Sequence, residues 1–229
     1  MGVNSGSIRA RGGPTRKKDS QESLPRLMVE KISAYLDVFS ACDFEQVVLS
    51  AKCSQVRQTV QVYRALAERF DFPLHLGFTA AGVLETGLVK NSLALGKLLA
   101  EGIGDTLRVS LTADPVEEVL AGKEILYNLG LRQRKEPEVI ACPSCGRCQV
   151  DLTKVVREAR IRLAQVQTPV RVAIMGCEVN GPGEAAEADY ALCMGPKKAL
   201  LYRNGQPVGT SPFETMLDEL IKLLNERSE

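Results

Sequence analysis

A chain of 229 residues with 45% hydrophobic and 25% charged residues has the composition of a globular protein, with room for one large domain or two small ones. Its formal net charge of +1 excludes a broadly basic nucleic-acid or membrane surface, and no apolar run approaches a membrane span. With no apolar signal region, the expected compartment is the reducing cytoplasm, where 7 cysteines read first as metal ligands or core residues.

Residues 1–23 are poor in apolar side chains and carry Arg9, Arg11, Arg16, Lys17 and Lys18, which predicts a solvated, mobile segment apart from a short strand at residues 2–4. From about residue 24, Met28, Ile32, Tyr35, Leu36 and Phe39 recur at helical spacing. The β-branched run 46–51 predicts a buried strand. Ser54 is placed to cap a helix whose apolar face is Val56, Val60, Tyr63, Ala67 and Phe70. A second strand at 73–78, a helix through Leu88, Leu95, Leu98 and Leu99, and a third strand at 106–111 follow. In "ADPVEE", Asp114 caps, Pro115 suits the first helical position and Glu117 completes a capping box, opening a helix that runs to about Gly130.

Repeated strand–helix units imply a parallel sheet covered by helices. In such folds ligands bind at the C-terminal ends of the strands, where Lys52, Ser54, Thr79, Arg108 and Ser110 fall. Two cations on one edge, each near a serine, favour an anionic ligand such as phosphate or diphosphate over side chains that merely end strands in solvent. Three or four strands do not close a barrel, which takes eight and roughly 250 residues. The stretch is therefore expected to be an open sheet, or the C-terminal half of a barrel whose uncovered half would expose strand edges and an apolar inner face.

The last third has a different pattern. Residues 137–143, "PEVIACP", form a strand running into the cysteines, and Asp151 caps a helix through Val155, Ala159, Leu163 and Ala164. Strands follow at 169–177 and 189–194, then a hairpin at 199–209 with Asn204-Gly205 in its turn. "SPFE", 211–214, is a second capping box, opening a helix through Met216, Leu217, Leu220, Leu223 and Leu224. The domain boundary is expected in the charged stretch 132–138, giving domains 1–135 and 136–229.

"CPSCGRC", 142–148, holds three of the 7 cysteines, and "MGCEVNGPGE", 175–184, adds a strand-terminal cysteine and tight backbone able to approach a cluster or an anion. Zinc, an iron–sulfur cluster and a redox disulfide all use such spacing. Zinc wants four closed ligands, which Cys142, Cys145 and Cys177 with Cys148 or Cys193 would supply, but the usual second, separate Cys-x-x-Cys knuckle is absent and the lone histidine, His75, lies in the other domain. An iron–sulfur cluster tolerates three thiolates with one harder ligand.

The segments "GVNSGS" (2–7), "HLGFTAAG" (75–82), "LLAEGIGDTLRVSLTADPVEEV" (98–119), "ACPSCGR" (141–147) and "MGCEVNGPGEAAEAD" (175–189) resemble the 4-hydroxy-3-methylbut-2-enyl diphosphate synthases of the non-mevalonate isoprenoid pathway, with likeness along essentially the whole chain. The resemblance implies an α/β fold: the C-terminal half of a (β/α)8 barrel, then a small α+β domain with a [4Fe–4S] cluster. It implies reductive ring opening and dehydration of 2-C-methyl-D-erythritol 2,4-cyclodiphosphate, with electrons from flavodoxin or ferredoxin. Cys142, Cys145, Cys177 and Glu184 match the cluster ligands. Asn4, Lys52, Arg108 and Ser110 match substrate-contacting positions, and Asn180 lies beside the cluster. Cys148 reads as an extra thiol, and Cys42, Cys53 and Cys193 as core.

Two departures accompany the resemblance. Ala80 stands where the family carries an acidic residue, so no catalytic acid is assigned, and Glu85 and His75 are the other donors at hand. The first half-barrel, with its diphosphate-gripping arginines, is expected to be missing, which calls for a homodimer or a complementing barrel half. The alternatives are a fragment that keeps the cluster without turnover and a zinc-ribbon interaction protein; net charge argues against a nucleic-acid partner for the latter.

Overall fold

A computed structural model describes residues 1–8, 19–179, 183 and 185–226. The five basic residues of the expected mobile segment, and Asn180, Gly181, Pro182 and Glu184, lie outside the described residues. The chain is mixed α/β and divides into two units, Met1–Arg132 and Gln133–Glu229.

The first unit repeats strand and helix in order: β1 (Gly2–Asn4), α1 (Asp19–Ala41), β2 (Ser50–Lys52), α2 (Val56–Arg69), β3 (His75–Gly77), α3 (Leu84–Ala100), β4 (Thr106–Arg108) and α4 (Pro115–Asn128). β1 pairs with β2 and β3 with β4, both parallel, and a parallel bridge between Leu49 and Leu74 links the two pairs. The ladder between β2 and β3 is interrupted for a specific reason. His75 N donates to Leu49 O at 2.8 Å, and the next bond in a parallel ladder would run from Ala51 N to His75 O. The hydroxyl of buried Tyr63, on α2, occupies that place: it accepts from Ala51 N at 3.1 Å and donates to His75 O at 2.7 Å. Burial raises the Tyr63 pKa, so the hydroxyl keeps its proton.

Alternation sorts the strand side chains. Val3, Leu49, Ala51, Leu74, Leu76 and Val109 are buried against Met28 and Ile32 of α1, Val60 and Leu66 of α2, Leu95 and Leu98 of α3, and Ile125 of α4. Each fully buried leucine contributes about 1.5–3 kcal/mol by leaving water. The opposite face carries Gly2, Asn4, Ser50, Lys52, His75, Gly77, Thr106 and Arg108. The expected apolar inner face is thus corrected: the face that the helices leave uncovered is polar.

Other local expectations also shift. The helix α1 begins at Asp19, inside the stretch read as mobile, and the 46–51 strand contracts to Ser50–Lys52 with Val48 exposed. Gln55 rather than Ser54 occupies the N-cap of α2. Asp114 does cap α4, accepting from Val116 N at 2.8 Å with Pro115 next, but it is Glu118 that reaches back, to Leu111 N at 2.8 Å. α4 ends in a Schellman turn: Gly130 has φ 68°, its N–H donates to Tyr127 O, and Leu131 N donates to Leu126 O.

The second unit is a five-stranded sheet in spatial order β5 (Glu138–Ala141), β6 (Arg171–Met175), β7 (Tyr190–Met194), β8 (Ala199–Arg203), β9 (Gln206–Ser211). The first three strands are parallel and the last two antiparallel. Helices α5 (Leu152–Leu163) and α6 (Phe213–Asn225) bury Leu152, Ala159, Leu163, Met216, Leu217 and Leu220 against one face. The other face packs small side chains, Ala173, Ala191 and Cys193, with Met175 and Ala188. Asp151 caps α5 through Lys154 N at 3.1 Å. Asn204 and Gly205, at φ 47° and 74°, make the mirror-image turn of a two-residue hairpin. The expected box at Ser211 does not form: Ser211 ends β9 opposite Ala199, and Pro212 takes the N-cap of α6 without a side-chain bond. β9 is one of the two edge strands of the sheet, with a register shift at Leu201/Tyr202 and Pro207 within it.

Candidate functional site

The parallel registers bring sequence-distant polar residues to one strand edge. Asn4 is the register partner of Lys52, and Gly77 that of Arg108. Gly77 makes room for the lysine: a Cβ built there would lie 2.9 Å from Lys52 Cε and 3.2 Å from Cδ, so the Lys52 stem crosses β3 over Gly77 toward β4. Burial and then the Arg108 charge lower the Lys52 pKa. His75 is lowered by burial, then by Lys52 and Arg108, and its Nδ1 lies 2.9 Å from Thr106 Oγ1. Among the described residues neither Lys52 nor Arg108 has an ion pair. Two cations without an ion pair among the described residues, beside an imidazole whose surroundings favour its neutral form, make a setting in which an anion would relieve their repulsion.

Residues that sequence patterns did not single out support this edge. Asn91, fully buried on α3, clamps the backbone of Ser110: its Nδ2 donates to Ser110 O at 3.1 Å and its Oδ1 accepts from Ser110 N at 3.3 Å. An asparagine in an otherwise apolar helical stripe was the available signal. The loop after β3 is tied by Thr79 N to Cys53 O at 3.0 Å, by Lys90 Nζ to Ala81 O at 3.0 Å and by Thr112 N to Gly82 O at 3.0 Å. Ala80, at φ 52°, stands in this loop in a left-handed conformation that costs a side-chain-bearing residue about 1–2 kcal/mol. Its methyl group offers no proton.

In the second unit, Cys142 follows β5, Cys177 lies two residues beyond β6, and Cys193 is on β7, paired with Met175. Two adjacent parallel strands therefore lead into thiols, and the third buries one within it. Gly176 N donates to Cys142 Sγ at 3.3 Å. Cys148 lies against the same glycine, its Sγ 2.5 Å from where a Gly176 Cβ would be, and donates to Val150 O at 3.3 Å. Cys145 is exposed; the N–H of Arg147, then its side chain, and the N–H of Cys148 favour its thiolate. Burial, then the neighbouring Cys177, Glu178 and Cys142, push the Cys193 thiol up to about 12, and burial does the same for Cys53. Both are inert core thiols, whereas Cys42 is exposed, against the expectation of core packing. Among the described residues no three histidine, cysteine or acidic side chains converge closely enough to hold a metal ion. The donor set nevertheless fits a thiophilic cluster: free thiols at one sheet edge, one receiving an amide hydrogen bond, and an exposed loop carrying the third.

Comparison with known proteins matches residues 1–123 to the GcpE TIM-barrel domain and residues 138–226 to the GcpE protein C-terminal domain. The chain is 44% identical over 233 residues to the 4-hydroxy-3-methylbut-2-en-1-yl diphosphate synthase (flavodoxin) of Symbiobacterium thermophilum, covering 100% of this chain and 60% of that protein. The proteins of the same name from Geobacter sulfurreducens and Lawsonia intracellularis are 45% and 46% identical, covering 99% and 91% of this chain and 64% and 56% of theirs. The chain thus spans about three fifths of the length of these curated relatives.

Proposed function

The chain belongs to the GcpE family, and from that premise we propose that it serves the reductive ring opening and dehydration of 2-C-methyl-D-erythritol 2,4-cyclodiphosphate to 4-hydroxy-3-methylbut-2-enyl diphosphate. Residues 1–135 would be the C-terminal half of a (β/α)8 barrel on the substrate side, and residues 136–229 a [4Fe–4S] domain. The observation that carries this reading is the uncompensated Lys52–Arg108 edge, in a chain 44% identical to a relative with that name.

Lys52 and Arg108 would grip the diphosphate, with Asn4 and Ser110 as neutral hydrogen-bonding partners. A bound diphosphate would raise the Lys52 pKa again and hold the ammonium charged. Cys142, Cys145, Cys177 and Glu184 would hold the cluster, with Gly176 N–H withdrawing charge from the Cys142 sulfur. When bound, such a cluster supplies electrons one at a time and one iron open to a substrate oxygen. Cys145 stands on an exposed loop, so ligation would draw that loop inward. Loss of water requires a proton that Ala80 does not supply; the other candidate donors are Glu85 and, once a bound anion has raised its pKa, His75. Flavodoxin or ferredoxin would deliver the electrons, and a homodimer or a complementing barrel half would complete the substrate site. Among the described residues no helix is long and apolar enough to cross a membrane, and we place the protein in the cytoplasm.

Anaerobic reconstitution with iron and sulfide is expected to give broad visible absorbance and stoichiometric acid-labile sulfide. One zinc per chain and no iron would sink the cluster assignment and favour the zinc-ribbon reading. Ala80 favours a second reading, in which the chain keeps the cluster without turnover. Turnover of the cyclic diphosphate by the reconstituted chain, with and without an added N-terminal barrel half from a relative, separates the two.

A further inference from the structure

We infer that the outward face of α5, formed by Lys154, Arg157 and Arg160 around Ile161, is the docking surface for the acidic, flavin-carrying protein that reduces this chain. The inference rests on the proposed function and adds to it a place of electron entry.

Helix α5 carries four cations and a single carboxylate, Glu158, on a chain whose net charge is only +1. Its buried residues are Leu152, Ala159 and Leu163, which orients the opposite side to solvent. There Lys154, Arg157 and Arg160 are exposed, and Ile161 is 66% exposed in their midst. Nearby charges do not neutralise them. Asp151 is committed to capping Lys154 N, Arg162 is bound to Asp218 of α6, and among the described residues Lys154, Arg157 and Arg160 have no ion pair. Glu158, half-buried and about 40° round the helix from Lys154, is the one carboxylate of α5 on this face, and among the described residues it forms no ion pair with that lysine.

The face is also anchored to the thiol edge. Leu152, in the first turn of α5, reaches within 3.4 Å of where a Gly176 Cβ would stand, on the glycine that contacts both Cys142 and Cys148. A protein bound along α5 would therefore touch the helix end that packs on the candidate ligands, which keeps the path for electrons short. An exposed apolar side chain with Arg157 one turn away and Arg160 and Lys154 on the same helix surface suits a transient partner: charge steers the encounter and a small dry contact holds it. A helix face about 18 Å long offers only the low end of interface sizes, as fast exchange of an electron carrier requires. The relatives are named for flavodoxin, and an acidic flavoprotein has the charge this stripe lacks.

The test uses the intact chain and a purified acidic flavodoxin. Titration at low salt is expected to show Lys154→Glu/Arg157→Glu weakening flavodoxin binding by about tenfold or more, with the difference erased when added salt shortens the screening length to a few ångströms. Arg26→Glu/Lys31→Glu on α1 makes the same charge change and is expected to leave binding unaltered. In the reconstituted chain the α5 variant is expected to slow reduction by flavodoxin by a similar factor while reduction by dithionite keeps its rate. Equal weakening by both charge reversals, or no binding of flavodoxin to the unaltered chain, overturns the proposal. So does loss of self-association, instead of flavodoxin affinity, in the α5 variant, which would assign the face to a second copy of the chain. An unaltered chain that binds flavodoxin but assembles no cluster would retain the docking surface while refuting the proposed function.

Discussion

His75 is the single histidine of the chain, so its ring gives one isolated reporter of the cationic edge. Burial, Lys52 and Arg108 depress its pKa below the ordinary 6.5, which means that the folded state favours the neutral ring. The stability this contributes is present above the unfolded value and is lost as pH falls through the lower folded value. The imidazole resonance is expected to titrate below 6.5 and to move upward when inorganic pyrophosphate is added; an unmoved midpoint would remove the case for an anion site here. Lys52 and Arg108 were legible in the sequence because each ends a strand, and strand ends are where this architecture collects ligands. Gly77 and Asn91 were not. Gly77 acts through the absence of a side chain beneath Lys52, which leaves no periodic signature, and Asn91 shows only as a polar break in the apolar stripe of α3, which does not say whose backbone it holds.

Between neighbouring elements the informative contact is Tyr63, which replaces a backbone bond of the β2–β3 ladder with its own hydroxyl. Tyr63→Phe keeps the ring and deletes the relay, leaving a buried donor and acceptor to find each other or go unpaired. Urea unfolding is expected to show a loss of about 1–3 kcal/mol with little change in the slope of the transition. A loss within experimental error would mean that the two strands close the gap directly. Helix existence was readable from apolar spacing because α1 to α4 each present one stripe to the sheet, whereas strand lengths were not. The run from Gln46 to Ala51 is continuously β-prone, yet only its end meets a partner strand, since pairing depends on the facing chain rather than on local preference. Glu118 in place of Glu117, and Pro212 in place of Ser211, show the same limit: each cap motif was present, but Leu111 N bonds to Glu118 and the β9 ladder takes up Ser211.

At the scale of the whole chain, the units Met1–Arg132 and Gln133–Glu229 have separate apolar cores and separate candidate chemistry. Calorimetry is expected to resolve two transitions, and anaerobic loading with iron and sulfide to raise only the one belonging to the second unit, because a ligand stabilises the state that binds it. A shift of both by the same amount would deny that the thiol edge alone receives the metal. Within that second unit, β9 carries a proline and a slipped register along its free margin. Such a margin is a poor template for a neighbour's backbone: Pro207 offers no amide proton, and the slip twists the rim away from flat contact. Strand addition is therefore disfavoured at this rim of the sheet, whose other edge is β5.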